Sequence, residues 1–160
     1  MEAALLAYAG WLDAAGVSQW ARSGAWTYPV ANTLHLLGLV MLVGGIGVVD
    51  LRIAGLWRAI PAAELSRALT PVAITGLVIL ATAGIVLFAA DGAALARSDT
   101  FHRKLVLIGL ALANAIAFRL LWQKRIEAGE EAPPIARAMA ALSLLLWLAA
   151  GTMGRWIAYS

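Results

Sequence analysis

Four long stretches of the chain are almost purely hydrophobic, and the few charged residues within them lie near their ends. They comprise residues 30–49, 69–90, 101–122 and 138–157. A hydrocarbon core of roughly 30 Å needs about 20 residues of helix, so each stretch predicts a membrane-spanning helix. We therefore predict an all-α fold, an up-down four-helix bundle that forms one integral membrane domain over residues 1–160.

A shorter pattern precedes the first span. In residues 2–15, one helical face collects apolar and aromatic side chains: Leu5, Tyr8, Trp11, Leu12 and Ala15. This arrangement predicts an amphipathic helix that lies in the membrane interface. The segment has neither a basic start nor a long apolar run, so it is not expected to be a signal peptide.

Composition supports the membrane assignment and narrows the chemistry. Of 160 residues, 62% are hydrophobic and 13% are charged, whereas a soluble domain carries about 25% charged residues. The lipid bilayer is therefore the expected surrounding. Cysteine is absent, so ligation of a metal would fall to the two histidines and nine carboxylates. The net charge of +3 comes without a basic run, so nucleic acid is not an expected partner.

The distribution of Lys and Arg predicts the orientation. Five of these residues lie on the side of the two termini, and seven lie on the side of the first and third connections. Because cytoplasmic loops carry the excess of positive charge, both termini are predicted to be periplasmic in a bacterial inner membrane. Residues 123–137, the most polar connection, are predicted to be cytoplasmic.

One histidine lies within the first span, about a turn from its start. His35 belongs to a stripe at alternating steps of four and three residues: Ala31, His35, Gly38, Leu42, Gly45, Val49 and Arg52. An ionisable residue inside a span is by default a candidate functional residue. Two interpretations of Gly38 and Gly45 remain open: they allow close helix approach, or they make room for a flat cofactor whose metal His35 binds.

Other polar residues near or inside the spans are candidates of a second kind. His102 and Lys104 open the third span. Because they are about 200° apart around a helix, at most one of them points into the bundle. Asn114, in the middle of that span, predicts an interhelical hydrogen bond. Asp50 and Arg52, which end the first span, predict an ion pair or a helix cap. No sequence motif of nucleophilic or phosphate-binding enzymes is present.

Several separated motifs together resemble a family of small bacterial four-helix membrane proteins of unknown function. They are Trp26-Thr27-Tyr28-Pro29, Thr33-Leu34-His35-Leu36-Leu37-Gly38, Gly44-Gly45, Val49-Asp50-Leu51-Arg52, Phe101–Lys104, Asn114-Ala115 and Gly154–Tyr159. A histidine followed by paired glycines, and a later span opened by lysine, are also similar to copper-resistance D type proteins and to the four-helix protoporphyrinogen oxidase. The oxidase resemblance implies haem b near His35 and Lys104. The oxidase's further aromatic and arginine pattern is missing, so no specific reaction is implied.

These observations lead to three hypotheses. The first is a haem b protein for electron transfer or membrane-linked oxidoreduction, with quinone or another redox protein as partner. Its metal ligands would be His35 and His102, and its cofactor-binding residues would be His35, Gly38, Gly45, His102, Lys104, Asn114 and Arg155. The second is a transporter or channel subunit for copper or another small ion, which would form a homo-oligomer. The third is an accessory structural subunit without catalysis.

Overall fold

Seven α-helices and a short terminal 3-10 helix account for most of residues 1–159, the part of the chain that the computed structural model describes. The helices are α1 (Glu2–Ala14), α2 (Val17–Ser23), α3 (Thr27–Ala54), α4 (Ala62–Arg97), α5 (Asp99–Leu121), α6 (Gln123–Glu127) and α7 (Pro134–Trp156), followed by the 3-10 helix Ile157–Tyr159. Ser160, which the predicted domain includes, lies outside the described residues.

Four of these helices, α3, α4, α5 and α7, are long and apolar enough to cross a membrane. The structure thus confirms the predicted all-α fold with four long apolar helices. All four helices begin before the stretches predicted for them; α3 and α4 also end beyond them, at Ala54 and Arg97, whereas α5 and α7 each end one residue short. In α4 the backbone leaves helical geometry at Asp91 (φ −129°, ψ 28°), directly after the predicted span 69–90. The remainder of α4, which ends at Arg97, therefore bends away from the axis of the span.

The long helices pack as antiparallel neighbours. α3 packs most extensively on α4, α7 packs on both α3 and α5, and α4 and α5 make few contacts with each other. We call the end at which α3 and α5 begin the α1 face, because α1 and α2 pack on the end of α4 there. The opposite end is the α6 face.

Small side chains fill the interior, while large apolar ones point outward. Most of the buried hydrophobic residues are alanines, and Trp147 is the largest side chain buried in the bundle. Large aliphatic side chains such as Val40, Ile116, Leu120 and Leu145 are exposed. Small residues at helix contacts and apolar side chains on the outside are typical of helices packed in lipid. The exposed apolar surface is therefore expected to contact the bilayer.

The helix predicted for residues 2–15 is α1, which the structure packs against the bundle. Leu12 is buried in a cluster with Phe88, and the rings of Tyr8 and Phe88 stack with centroids 5.7 Å apart. Trp11 remains 61% exposed. One side of α1, with Leu12 and Tyr8 from the predicted apolar face, thus covers the end of α4, and the location of α1 in the membrane interface stays a prediction.

Candidate functional site

His35 lies in α3 near the α1 face, and α4 fixes the position of its ring. Its Nδ1 is 2.9 Å from the backbone carbonyl oxygen of Leu80. A carbonyl can only accept a hydrogen bond, so Nδ1 carries the proton and donates it. In the neutral ring, the lone pair is then on Nε2. A histidine held in this way through one nitrogen is the usual arrangement for binding a metal through the other.

A glycine of α4 leaves the space that this ring occupies. A Cβ added at Gly84 would lie 3.2 Å from Cε1 of His35, which is closer than most side-chain contacts. The ring is half-buried between α3 and α4. The position of His35 is therefore set by both the Leu80 carbonyl and the absence of a side chain at Gly84.

Lys104 is the residue of the third span that turns toward His35. It lies close enough for the two charges to interact, and a Cβ added at Gly154 of α7 would lie 3.1 Å from its Nζ. His102 turns elsewhere: its Nε2 is 2.8 Å from the carbonyl oxygen of Ala96, near the end of α4. The Lys104 side chain thus lies against Gly154 of α7, within electrostatic range of His35, and His102 is engaged in the α4–α5 connection.

Gly38 and Gly45 lie on the face of α3 that packs against α4. A Cβ at Gly38 would lie 2.6 Å from the backbone nitrogen of Leu80, and a Cβ at Gly45 would lie 3.2 Å from Cβ of Ala73. Gly76 makes the reciprocal approach to α3. The space left by Gly38 and Gly45 is filled by α4, which favours the helix-packing interpretation of these glycines. A porphyrin bound to His35 would have to lie away from this contact between α3 and α4.

Two further predicted residues are held by neighbours within the chain. Asn114 donates from Nδ2 to the carbonyl oxygen of Met139 at 3.0 Å, so the predicted interhelical hydrogen bond is confirmed between α5 and α7. Arg155, at the α1 face, donates to the hydroxyl of Tyr159, and its guanidinium lies 4.7 Å from the centre of that ring. Arg155 is exposed and remains at the same membrane face as His35 and Lys104.

The predicted ion pair between Asp50 and Arg52 is wrong. Residues two apart lie on nearly opposite sides of a helix. Arg52 donates from Nη2 to the carbonyl oxygen of Arg58 at 3.2 Å, in the loop after α3. Asp50 is instead 6% exposed, with the Ser143 hydroxyl of α7 as its hydrogen-bonding neighbour and no partner for Oδ2 among the described residues.

Asp50 is therefore a candidate functional residue to which the sequence pattern assigned only a structural role. It lies roughly 22 Å from His35 along α3, at 1.5 Å per residue. The available signal was the spacing itself: a carboxylate two positions before an arginine cannot share that arginine's face. Its location inside the bundle also depends on where α7 places Ser143, which the linear sequence does not reveal.

Near His35 the described part of the chain offers one imidazole that suits a haem iron, and it offers no cluster of side chains for a free metal ion. Within residues 1–159, no group of three or more His, Asp and Glu side chains is close enough to hold a metal ion. An axial haem ligand needs only one imidazole with an available Nε2, and His35 meets that requirement. Lys104 supplies a positive charge beside it.

The fold and these positions define a multi-pass helical membrane protein with polar residues at two depths of its bundle. The chain belongs to the family of unknown function DUF6644, which it matches over residues 10–160. Neither a curated protein nor a solved structure matches it.

Proposed function

We propose that the protein binds haem b near the α1 face and serves in electron transfer or membrane-linked oxidoreduction. The observation that carries the proposal is the 2.9 Å contact between Nδ1 of His35 and the Leu80 carbonyl. It fixes the ring and leaves Nε2 as the nitrogen for iron. Haem b, when bound, supplies a one-electron iron couple whose potential depends on its ligands and surroundings.

The chain's own residues have separate parts in this proposal. His35 is the axial ligand, and the Leu80 carbonyl orients it and increases the electron density of the ring. Lys104 lies within electrostatic range of His35, and its ammonium group would pair with a propionate of the bound haem. Arg155 offers a second cation at the same membrane face. The similarity to the four-helix oxidase, at His35 and Lys104, supports the same assignment.

The proposal departs from the sequence-based ligand set at one position. His102 lies in the α4–α5 connection on the Ala96 carbonyl, and only His35 is held between two long helices, so we assign His35 as the sole histidine ligand. A quinone or a redox protein remains the proposed electron partner. The exposed apolar surface is accessible to a membrane-soluble electron partner such as a quinone.

The experiment is an absorption spectrum of the detergent-purified protein, before and after titration with haemin. We expect a Soret band in the wild type, its loss in His35→Ala, and its retention in His102→Ala. The two variants each remove one imidazole, so His102→Ala is the matched control. A wild type that stays colourless after haemin titration, or a His35→Ala variant with the wild-type spectrum, would contradict the proposal.

A further inference from the structure

A second site lies in the half of the bundle nearer the α6 face, around Asp50. A partly open cavity of about 140 Å³ lies there between α3, α4, α5 and α7, with Gln123 of α6 also in its lining. Most of its lining is apolar, and its polar side chains are few: Asp50, Ser66, Thr70, Asn114, Arg119, Gln123 and Ser143. A cavity of this size can hold several water molecules when polar groups are present. It therefore has room for a small hydrated ligand.

Asp50 has an unused acceptor in this cavity. The residue is 94% buried, as its 6% exposure shows, and its Oδ2 lacks a hydrogen-bond partner within residues 1–159. An ionised carboxylate in an apolar interior is costly unless a positive charge or hydrogen-bond donors compensate it. The Ser143 hydroxyl of α7 is available beside Asp50 as a donor, and this alone leaves the compensation incomplete.

The charged residues around the cavity do not provide the missing positive charge. Only Arg119 lines the cavity as a charged neighbour of Asp50, and its side chain is exposed at the end of α5. The two form no ion pair in the described part of the chain. The polar lining residues contributed by α4, α6 and α7, Ser66, Thr70, Gln123 and Ser143, are neutral. Arg52, on α3 itself, points to the loop after the helix.

We propose that Asp50 holds a monovalent cation, a proton or a sodium ion, at neutral pH and exchanges it with the aqueous phase at the α6 face. The hydroxyl oxygens in the lining and the carbonyl oxygen of Asn114, whose amide nitrogen is already used, are hard ligands suited to an alkali cation. Buried Asp50 and exposed Arg119 both line the cavity, so the proposed exchange takes place past Arg119. This site is separate from His35 and does not depend on haem.

The experiment measures the binding of a proton and of a sodium ion to the purified protein of residues 1–160. Infrared difference spectroscopy at neutral pH without sodium reports whether the Asp50 carboxyl is protonated, since Asp50→Asn removes its band. Equilibrium binding of ²²Na⁺ reports whether the site binds a sodium ion. We expect either the protonated carboxyl band or saturable ²²Na⁺ binding in the wild type, lost in Asp50→Asn and retained in Asp91→Asn, which changes an exposed aspartate of α4.

Two variants that keep Asp50 make the test independent of whether Asp50→Asn folds. Ser143→Ala removes the donor and should change the apparent cation affinity about tenfold, the effect expected for a hydrogen bond to a charged group. Arg119→Gln removes a repelling charge and should tighten cation binding. A carboxylate that is ionised at neutral pH and binds no ²²Na⁺ would overturn the proposal. So would equal cation binding by the wild type and Asp50→Asn.

Discussion

His35 illustrates how one backbone carbonyl can define the chemistry of a side chain. Two histidines occur in the chain, and each has a ring nitrogen near a carbonyl oxygen: Nδ1 of His35 near Leu80, and Nε2 of His102 near Ala96. The bonds therefore favour opposite tautomers. Nε2 carries the lone pair in His35, whereas Nδ1 carries it in His102. Of the two rings, only that of His35 is held within the bundle, between the two long helices α3 and α4.

Replacement of Gly84 by valine should disturb His35 directly. A Cβ there would approach Cε1 of His35 to 3.2 Å, and the γ carbons of valine would force the ring to move. We expect loss of the bond to Leu80, worth about 1 kcal/mol, which would shift the tautomer ratio by about fivefold. Nitrogen-15 NMR of the two histidine rings, assigned with His102→Ala, measures that ratio without requiring haem.

Gly109→Val is the matched control for this residue-scale prediction. A Cβ at Gly109 meets nothing within 4 Å, so the His35 signals should remain those of the wild type. Unchanged His35 tautomers in Gly84→Val would show that the ring does not need the space at Gly84.

At the scale of elements, the contact between α3 and α4 is the most extensive in the bundle. Gly38 and Gly76 allow the two backbones to meet: a Cβ at Gly76 would lie 2.6 Å from the backbone nitrogen of Leu42. Close backbone approach through small residues is a main source of helix association in lipid. The same contact holds Leu80 against α3, so it also positions the carbonyl that orients His35.

Gly38→Ala should separate these two helices. Its Cβ would lie 2.6 Å from the Leu80 nitrogen and 2.7 Å from the Gly76 carbonyl oxygen, and backbone atoms cannot move aside as a flexible side chain can. Overpacking of this kind costs about 1–3 kcal/mol. Unfolding in mixed detergent, followed by circular dichroism, should show a lower free energy of unfolding than in the wild type.

Gly44→Ala, in the same helix, provides the comparison. A Cβ at Gly44 has no neighbour within 4 Å, so its free energy of unfolding should differ little from that of the wild type. Because alanine has a higher helix propensity than glycine, destabilisation of Gly44→Ala equal to that of Gly38→Ala would mean that the α3–α4 contact does not determine the effect.

The sequence predicts the helices better than it predicts which helices and side chains contact each other. Hydropathy located the four long helices, and the predicted stripe on α3 does face the bundle, because Ala31, Gly38, Leu42 and Gly45 are buried. Which helix meets that stripe depends on tertiary packing. The choice between His102 and Lys104 likewise needed the position of α3. Asp50 was misassigned because its nearest charge in sequence, Arg52, is on the other side of the helix.

At the scale of the whole molecule, the two polar sites lie at opposite ends of one apolar core. Leu42, Ala73, Ala111 and Trp147, one from each long helix, form a buried cluster, and Trp147 also lines the cavity that contains Asp50. His35 and Lys104 lie toward the α1 face. The helices thus hold a site near each membrane surface, and the orientation of the chain decides which compartment each site faces.

The distribution of Lys and Arg, five on the α1 face and seven on the α6 face, predicts that the α1 face is periplasmic and that Asp50 exchanges its cation with the cytoplasm. Because cysteine is absent, single-cysteine variants give an unambiguous readout. In intact cells, a membrane-impermeant maleimide should label Glu2→Cys and should not label Glu130→Cys, which lies in the connection between α6 and α7. Permeabilised cells, in which both variants should react, are the control. Labelling of Glu130→Cys alone in intact cells would reverse the orientation and place the Asp50 cavity on the periplasmic side.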